Sequence, residues 1–310
     1  MSSNLITRSI FMYGDGDHRA RQAVFVWTRL SAARWEDAWQ ERLRGFGNGS
    51  VVVTAFAGRK SIRVDYYTAR RAEAERIRRS FGGTVRNVKE SEWRLMKPEK
   101  AALVKIRDRL VVTSERKKAA RTRLEEEYPG RIVLSIPAEM AFGTGGHATT
   151  ANCLRLLVDW AAERRGERLE EERQLDLGTG TGILALAGRF LGIGRVLAWD
   201  YDPAAVAAAR RNVRAHGFRD ESVEVAESDV RSWIPGREKF EIVTANLFAG
   251  VLEEAFPKIH RVLKRGGVCI ASGIMRTQEE DCLGRATRAG LRILEVRRQG
   301  KWMAFRADRL

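Results

Sequence analysis

Glycines at a regular spacing follow a predicted strand near the middle of the chain. The segment reads Leu175-Asp176-Leu177-Gly178-Thr179-Gly180-Thr181-Gly182-Ile183-Leu184 and passes from a strand through a loop into a helix. Glycine lets the backbone adopt left-handed dihedrals and lets a ligand approach closely. The dinucleotide fingerprint GxGxxG would need glycine at position 183, which is Ile183. The observed spacing, GxGxG at Gly178, Gly180 and Gly182, favours a ligand without a pyrophosphate, such as S-adenosylmethionine.

Acidic residues follow the next two predicted strands. Asp200 ends the second strand, 22 residues after Gly178, and a carboxylate there can accept hydrogen bonds from ribose hydroxyls. Asp229 follows the third strand, where an acidic residue can reach an adenine amine. Either residue alone is equally well explained as a surface aspartate near the start of a helix. Together, at consecutive strand ends, they predict an adenosyl ligand.

A second glycine-rich motif precedes the sheet. It reads Ala141-Phe142-Gly143-Thr144-Gly145-Gly146-His147-Ala148-Thr149-Thr150. Thr149 or Thr150 can cap the helix that follows. The glycines flank an aromatic ring and an imidazole, Phe142 and His147, which suits a loop that folds over a ligand. The alternative is a plain glycine-rich loop with a helix cap.

A third motif, Thr244-Ala245-Asn246-Leu247-Phe248-Ala249-Gly250, ends the fourth predicted strand. In a doubly wound sheet this position faces the ligand crevice. The Asn246 amide can both accept from and donate to a substrate or cofactor, although a helix-capping asparagine is the alternative. Leu247-Phe248 stand where Asn-Pro-Pro-aromatic sequences have their prolines, which disfavours N-methylation of glutamine or adenine.

From Arg131 onward, strand and helix patterns alternate regularly and end in a closing hairpin. This order predicts an α/β fold of Rossmann-like type, with a mostly parallel sheet whose last strand is antiparallel. The five strands before the hairpin are predicted at Gln174–Leu177, Arg195–Asp200, Val223–Ala226, Phe240–Asn246 and Gly267–Ser272.

The N-terminal part shows a different pattern. Between residues 23 and 88 the order is β-α-β-β-α-β, with predicted helices at Trp35–Phe46 and Thr68–Ser80, which predicts a small ferredoxin-like α+β module. No catalytic motif falls in it, so it is interpreted as a recognition domain, with a purely structural appendage as the alternative. The predicted organisation is residues 1–92 as this basic domain, 93–130 as a basic linker and 131–310 as the Rossmann-like domain.

Charge is unevenly distributed. The chain carries a formal net charge of +16. Residues 1–130 account for +12 and residues 131–310 for +4. This excess predicts an anionic partner such as RNA. An arginine-rich composition is the alternative explanation, because 45 of the 56 basic residues are Arg.

Several classes of protein are disfavoured by composition. No apolar run approaches the roughly 18 residues of a membrane span, and residues 1–20 show no secretory h-region. Three cysteines without a CxxC pair and four scattered histidines argue against disulfides and structural zinc. We expect a cytoplasmic protein that contacts no membrane and needs no metal.

The three motifs together resemble the PrmA-type family, the methyltransferases of large-subunit ribosomal protein L-eleven. The resemblance covers about residues 131–310 and rests on the segments 141–150, 176–184 and 245–250 quoted above. It implies a class I S-adenosylmethionine-dependent methyltransferase domain behind a smaller substrate-recognition domain. It also implies cofactor contacts at Thr150, Gly178, Asp200 and Asn246.

The resemblance implies methyl transfer from S-adenosylmethionine to amine nitrogens, on lysine side chains or an α-amine, with S-adenosylhomocysteine as product. The implied substrate is a ribosomal protein, free or on the large subunit. Because such a substrate is itself basic, a strongly basic recognition domain predicts contact with neighbouring rRNA. An RNA methyltransferase, a lysine methyltransferase of another protein and a non-catalytic adenosyl-binding module are the alternatives.

Methyl transfer to nitrogen requires an amine that is unprotonated and correctly oriented. We expect Asn246 to orient the amine. His147 is expected either to help deprotonate it or to hold the loop. The cofactor-binding residues predicted overall are Phe142, Thr150, Gly178, Gly180, Gly182, Asp200, Asp229 and Asn246.

Overall fold

A computed structural model describes residues 5–9, 24–32, 35, 39, 42, 43, 46, 50–56, 61–88, 103–115, 118–137, 147–164 and 166–309. The chain forms two compact units. One comprises Met1–Glu99 with Ala138–Met140, and the other comprises Lys100–Pro137 with Ala141–Leu310.

The first unit contains a five-stranded antiparallel sheet in the order β1-β3-β4-β2-β5. Its strands are β1 Leu5–Ser9, β2 Val24–Ala32, β3 Ser50–Phe56, β4 Ser61–Thr68 and β5 Thr84–Val88, and helix α1 spans Arg71–Phe81. Strands β2 to β5 lie in the order expected of a ferredoxin-like module, whereas β1 is an additional edge strand that the sequence did not predict.

Helix α1 packs on one face of this sheet. Trp27 of β2 and Tyr66 of β4 are buried against Ala74 and Ile77 of the helix. The sequence predicted the helix from Thr68, but Thr68 ends β4 and its hydroxyl accepts from the backbone N–H of Arg70 at 3.0 Å. The helix predicted over residues 35–46 lies largely outside the described residues.

Part of the segment 93–130, which the sequence assigned to a linker, forms ordered elements of the second unit together with residues that follow it. Strands β6 Leu103–Ile106, β7 Leu110–Thr113 and β8 Ile132–Ser135 make a three-stranded sheet, with helix α2 at Lys118–Glu127. Strand β6 pairs antiparallel with β7, and β7 pairs parallel with β8. Arg107, in the turn of this hairpin, forms a bidentate ion pair with Asp159, at 2.9 and 2.8 Å.

The central sheet of the second unit has seven strands in the order β11-β10-β9-β12-β13-β15-β14. The strands are β9 Arg173–Leu177, β10 Arg195–Asp200, β11 Val223–Glu227, β12 Phe240–Asn246, β13 Leu263–Met275, β14 Leu291–Gln299 and β15 Trp302–Arg309. Strand β15 runs antiparallel to both neighbours, and the pairs from β11 to β13 are parallel. The predicted Rossmann-like sheet with an antiparallel last strand is confirmed.

Helices cover both faces of this sheet. They are α3 Ala148–Glu163, α4 Ile183–Phe190, α5 Pro203–Ala215, α6 Ala249–Val262 and α7 Glu279–Arg288. One apolar cluster contains residues of α3, α4 and α5, and the other contains residues of α6 and α7. Strand order reverses between β9 and β12, so the ligand crevice of such a fold lies at the carboxyl ends of these two strands.

Three features of the described residues concern membrane-spanning helices, metal-ligand clusters and cysteines. No helix in the described part is long and apolar enough to cross a membrane. The described residues include no cluster of three or more His, Cys, Asp or Glu side chains that could hold a metal ion. All three cysteines are buried and free.

Candidate functional site

The loop after β9 has three glycines in left-handed conformations. Their φ angles are 68° at Gly178, 57° at Gly180 and 80° at Gly182. Gly182 is the N-cap of α4. A Cβ atom at Gly178 would lie 2.2 Å from Cδ2 of Leu247, which follows β12. All three positions therefore favour glycine because their φ angles are positive, and Gly178 is also required by the close approach between the ends of β9 and β12.

Asp200, at the end of β10, is joined to this loop. The backbone N–H of Gly180 donates to Oδ2 of Asp200 at 2.8 Å, and that of Asp202 donates to Oδ1 at 3.0 Å. Burial raises the pKa of Asp200, and the backbone donors at Asp202 and Gly180 oppose that rise. Because each carboxylate oxygen has a second lone pair, Asp200 can still accept hydrogen bonds from a diol.

Asn246 and Thr150 bring the second and third motifs together. Nδ2 of Asn246, at the end of β12, donates to Oγ1 of Thr150 in the first turn of α3 at 3.2 Å. Thr150 is fully buried, and Asn246 is half-buried. The hydrogen bond holds the Asn246 amide in one orientation, with its Oδ1 atom left as an acceptor.

His147, and neither of the predicted threonines, is the N-cap of α3. Its Nδ1 atom accepts from the backbone N–H of Thr149 at 3.4 Å and lies 2.8 Å from the Thr149 hydroxyl. The ring meets Trp302 edge to face, with centroids 5.1 Å apart. Because Nδ1 is an acceptor within the cap, the proton of the neutral ring lies on Nε2. This geometry supports the loop-holding role of His147 over the deprotonating one.

The comparison with known proteins decides the family. A family model described as "Ribosomal protein L11 methyltransferase (PrmA)" matches residues 20–309. The chain belongs to this family. The expected resemblance is therefore confirmed, and it extends into the N-terminal unit, beyond the residues that suggested it.

Relatives of this PrmA family member share its sequence over part of their length. A ribosomal protein L11 methyltransferase of Heliobacterium modesticaldum is 40% identical over 187 residues, 59% of this chain and 56% of that protein. One from Brevibacillus brevis is 33% identical over 225 residues, 73% of this chain and 67% of that protein. The chain thus spans little more than half the length of the first of these relatives.

One solved structure supports the fold. The ribosomal protein L11 methylase of Lactobacillus delbrueckii subsp. bulgaricus superposes with a TM-score of 0.54. It covers 67% of this chain and 98% of its own chain, at 22% identity. At this identity the likeness concerns the fold alone.

Asp176 is a buried residue beside the crevice of this PrmA chain that the sequence did not single out. Its side chain accepts hydrogen bonds from the Thr179 and Thr244 hydroxyls, each at 2.6 Å, and so joins β9, the glycine loop and β12. Burial raises its pKa to about 6. The sequence did contain a signal for this hydrogen-bonded group. Asp176 stands three residues before Thr179 of the glycine loop, and Thr244 stands two residues before Asn246.

The remaining predicted residues are less informative. Asp229 lies two residues beyond β11, is exposed, and accepts from the backbone N–H of Arg231 at 2.9 Å. This local turn is compatible with either interpretation of Asp229, and its adenine contact stays a prediction. Phe142 lies outside the described residues, so its predicted cofactor contact also stays a prediction.

Proposed function

We propose that this chain transfers methyl groups from S-adenosylmethionine to amine nitrogens of ribosomal protein L-eleven, releasing S-adenosylhomocysteine. The observation that carries the proposal is the match of residues 20–309 to the family of ribosomal protein L11 methyltransferases. The hydrogen bond between Asn246 and Thr150, which joins two of the motifs typical of that family, supports it.

The residues at the carboxyl ends of β9 and β10 fit S-adenosylmethionine. Gly178 packs against the Leu247 side chain with no room for a Cβ atom, which brings the ends of β9 and β12 close together at the crevice. Asp200 offers carboxylate lone pairs to a ribose diol. Residues 176–184 contain no Lys or Arg, and they contain the carboxyl of Asp176. This charge suits a cationic ligand better than a pyrophosphate.

Bound S-adenosylmethionine would supply an electrophilic methyl group on a sulfonium. The protein must then present an amine with a free lone pair. A free lysine with a pKa near 10.4 is neutral only about 1 time in 2,500 at pH 7, and an α-amine near 7.8 about 14% of the time. Exclusion of water from the amine would raise the neutral fraction.

Positioning is the larger part of the proposed catalysis. Good alignment of amine and methyl contributes roughly 7–11 kcal/mol in favourable cases. With Nδ2 held by Thr150, Oδ1 of Asn246 is available to accept a hydrogen bond from the incoming amine and so direct its lone pair. His147 caps the start of α3 and packs against Trp302.

Asn246 provides a direct test of this assignment. Asn246→Ala is expected to lower kcat by about 10- to 100-fold, because removal of one partner from a hydrogen bond in a water-excluded site costs about 1–3 kcal/mol. Thr150→Val should show a smaller loss of the same kind, and Thr150→Ser, which keeps the hydroxyl, should stay close to wild type. Steady-state kinetics and cofactor titration measure both effects. If Asn246→Ala showed normal turnover and normal cofactor affinity, the proposed role of Asn246 in orienting the amine would be contradicted.

We also propose that the ribosomal substrate is met either free or on the large subunit, in the cytoplasm, with rRNA contact through the N-terminal domain. The charge of that domain supports the rRNA contact. Among residues 24–88 whose side chains are described, nine are Arg and three are Asp or Glu.

The same basic surface favours an RNA methyltransferase as the second candidate, with lysine methylation of another protein as a variant of the first. Ribosomes from a strain lacking this protein can be incubated with the enzyme and methyl-labelled S-adenosylmethionine, and aliquots then digested with protease or ribonuclease. Label released by protease from one basic ribosomal protein is the expected result. Label released by ribonuclease would reassign the chain to RNA.

A further inference from the structure

Two aromatic side chains are exposed among the described residues of the second unit. Tyr201 is 69% exposed and directly follows β10, and Phe248 is 48% exposed and lies two residues beyond the end of β12. Strands β10, β9 and β12 are parallel neighbours, so both residues lie at the carboxyl edge of the sheet, where the crevice lies. The other described aromatic side chains of this unit are buried or half-buried.

Phe248 occupies the N-cap position of α6 without capping it. Its backbone is extended, with φ −64° and ψ 148°, and its carbonyl accepts from the backbone N–H groups of Val251 and Leu252, each at 3.0 Å. No side-chain hydrogen bond caps this helix start. Ser, Thr, Asp or Asn at such a position stabilises a helix, and a ring that is about half exposed gains only part of the free energy of burial. Folding stability alone therefore gives no reason for Phe at this position.

Phe248 lies close to the residue that the proposed mechanism assigns to the acceptor amine. Only Leu247 separates it from Asn246, and a span of two residues is at most about 7 Å between Cα atoms. A lysine side chain has four methylene groups between its amine and its backbone. When the amine of such a side chain meets Asn246, its methylene chain must cross the mouth of the crevice, within reach of the Phe248 ring.

A phenyl ring at this place distinguishes between the two kinds of acceptor amine. Its surface packs against methylene groups, and its face attracts an ammonium group as a lysine approaches. An α-amine is attached directly to the backbone and offers the ring no methylene chain. The position of Phe248 therefore favours a lysine side chain.

We propose that Phe248 is a specificity-determining residue that contacts the methylene chain of a lysine acceptor and so favours lysine side chains over an α-amine. This inference rests on the proposed methyl transfer to ribosomal protein L-eleven, and it narrows the acceptor of that reaction. Asn246 orients the amine, and Phe248 holds the chain that carries it.

Steady-state methyl transfer to unmethylated protein L-eleven tests this role, with the methylated positions located by mass spectrometry. Phe248→Ala should raise KM for transfer to lysine side chains by about 10-fold, the scale of one lost aromatic contact with a lysine, and should lower kcat much less. Transfer to the α-amine should be unchanged, so the ratio of lysine to α-amine methylation should fall. Phe248→Tyr keeps the ring and should stay close to wild type.

The matched control is Leu294→Ala on β14, which removes an apolar side chain of similar exposure, 44%, away from the carboxyl edge. Its kinetics should equal those of wild type. An active wild-type enzyme whose KM is the same in Phe248→Ala would overturn the role of Phe248 and leave the proposed function standing. Methyl groups confined to the α-amine in wild type would overturn it in the same way.

Phe248→Ser separates this role from a structural one. Serine supplies the missing helix cap, so the thermal midpoint should rise by about 2–4 °C. Lysine methylation should nevertheless fall as it does in Phe248→Ala. Parallel losses of midpoint and activity in Phe248→Ser would show that the ring is structural and would overturn the proposal.

The wild-type enzyme also separates this inference from the function on which it rests. Absence of transfer to protein L-eleven would overturn both. Transfer of methyl groups to ribosomal RNA in its place would assign the Phe248 ring to stacking on a base, and would likewise overturn the lysine contact.

Discussion

Charge at individual residues decides what the crevice can hold. Asp176 is enclosed by hydroxyl donors from Thr179 and Thr244, and Asp200 by the backbone donors of Gly180 and Asp202. Burial raises the pKa of both carboxyls, but the value of about 6 at Asp176 leaves it mostly ionised at pH 7. Two carboxylates beside a glycine loop favour a ligand that carries a positive charge.

Asp176→Asn is expected to make the free energy of unfolding less dependent on pH. An Asp whose pKa is raised from 3.8 to about 6 on folding destabilises the folded state as pH rises through that range, by up to about 3 kcal/mol at pH 7. The uncharged amide avoids this cost. Urea unfolding should therefore show similar stabilities near pH 4 and a more stable variant at pH 7.

The same substitution should weaken S-adenosylmethionine binding, because a negative charge near a cationic ligand is lost. Calorimetric titration at pH 7.5 measures this. Parallel stability profiles of variant and wild type, together with equal cofactor affinity, would contradict the charge assigned to Asp176.

At the scale of elements, the glycine loop depends on neighbours from three directions. β12 limits the space at Gly178 through Leu247, β10 holds Gly180 through Asp200, and α5 holds Thr181. The last contact is a 2.8 Å hydrogen bond from Nδ2 of the buried Asn212 to the Thr181 carbonyl. The loop is thus positioned by strand ends and a helix as well as by its own sequence.

Gly178→Ala should be more costly than a matched substitution at Gly300. Both glycines have positive φ, 68° and 59°, so both alanine variants carry about 1–2 kcal/mol of backbone strain. Only Gly178→Ala adds a clash, 2.2 Å from Leu247, and nothing lies within 4 Å of a Cβ at Gly300. We expect about 1–3 kcal/mol of further destabilisation and loss of cofactor binding. Equal effects in thermal unfolding would show that the close approach to Leu247 is unimportant.

His216 connects α5 to β8. Its Nε2 atom accepts from the backbone N–H of Ser135 at 3.2 Å, and its Nδ1 atom lies 2.8 Å from the Asn212 carbonyl. Burial lowers the pKa of His216, and the nearby Arg121 cation lowers it further. The folded state therefore favours the neutral ring, whose Nε2 lone pair Ser135 needs.

We expect stability to fall as pH drops below about 6.5, where the unfolded chain binds a proton that the folded chain does not. His216→Gln should flatten this part of the profile and cost some stability at pH 7.5. Arg121→Gln should also flatten it partly, because the pKa of the folded histidine would rise. An unchanged acid slope in His216→Gln would contradict the assignment. Urea midpoints between about pH 5 and 7.5 measure the slope.

The sequence predicted elements best where local pattern and tertiary packing agree. β10 and β12 lie where predicted, because their buried apolar residues are flanked by turns. The four-residue strands β6 and β8 were not predicted, because so short an apolar run carries too little periodicity to identify a strand. β6 is anchored by contacts such as Arg107 with Asp159, which no local pattern shows.

The candidate site residues show the same contrast between features visible in the local sequence and features fixed by distant contacts. The glycines and Asp200 were predicted from spacing and strand ends, and their cofactor contacts stay predictions. The helix cap at His147 was wrongly given to Thr149 or Thr150, because threonine is the usual cap and a ring nitrogen substitutes for it here. Asp176 was overlooked because its partner Thr244 is 68 residues away in the chain.

At the scale of the whole molecule, the two units have separate apolar cores. The buried members of the clusters that support the crevice lie within residues 106–307, and those of the N-terminal unit lie within residues 26–88. Gly178, Asp200 and Asn246 all lie in the second unit. Cofactor binding and substrate recognition are therefore expected to be separable functions.

A fragment of residues 100–310 should fold and bind S-adenosylmethionine with an affinity close to that of the full chain. It should fail to methylate the ribosomal protein, because the proposed recognition surface is absent. Near-ultraviolet circular dichroism, calorimetric titration and a methyl-transfer assay compare the two proteins. A folded fragment with full transfer activity would contradict the recognition role of the first unit.

Locating the transferred methyl group tests the proposed activity directly. Purified, unmethylated protein L-eleven is incubated with the enzyme and S-adenosylmethionine, digested, and its peptides are sequenced by tandem mass spectrometry, with Asn246→Ala enzyme as the control. We expect methyl groups on lysine side chains or the α-amine of the substrate with wild-type enzyme, and far fewer with the variant. An unmodified substrate, from an enzyme preparation that binds S-adenosylmethionine and methylates ribosomal RNA instead, would contradict it.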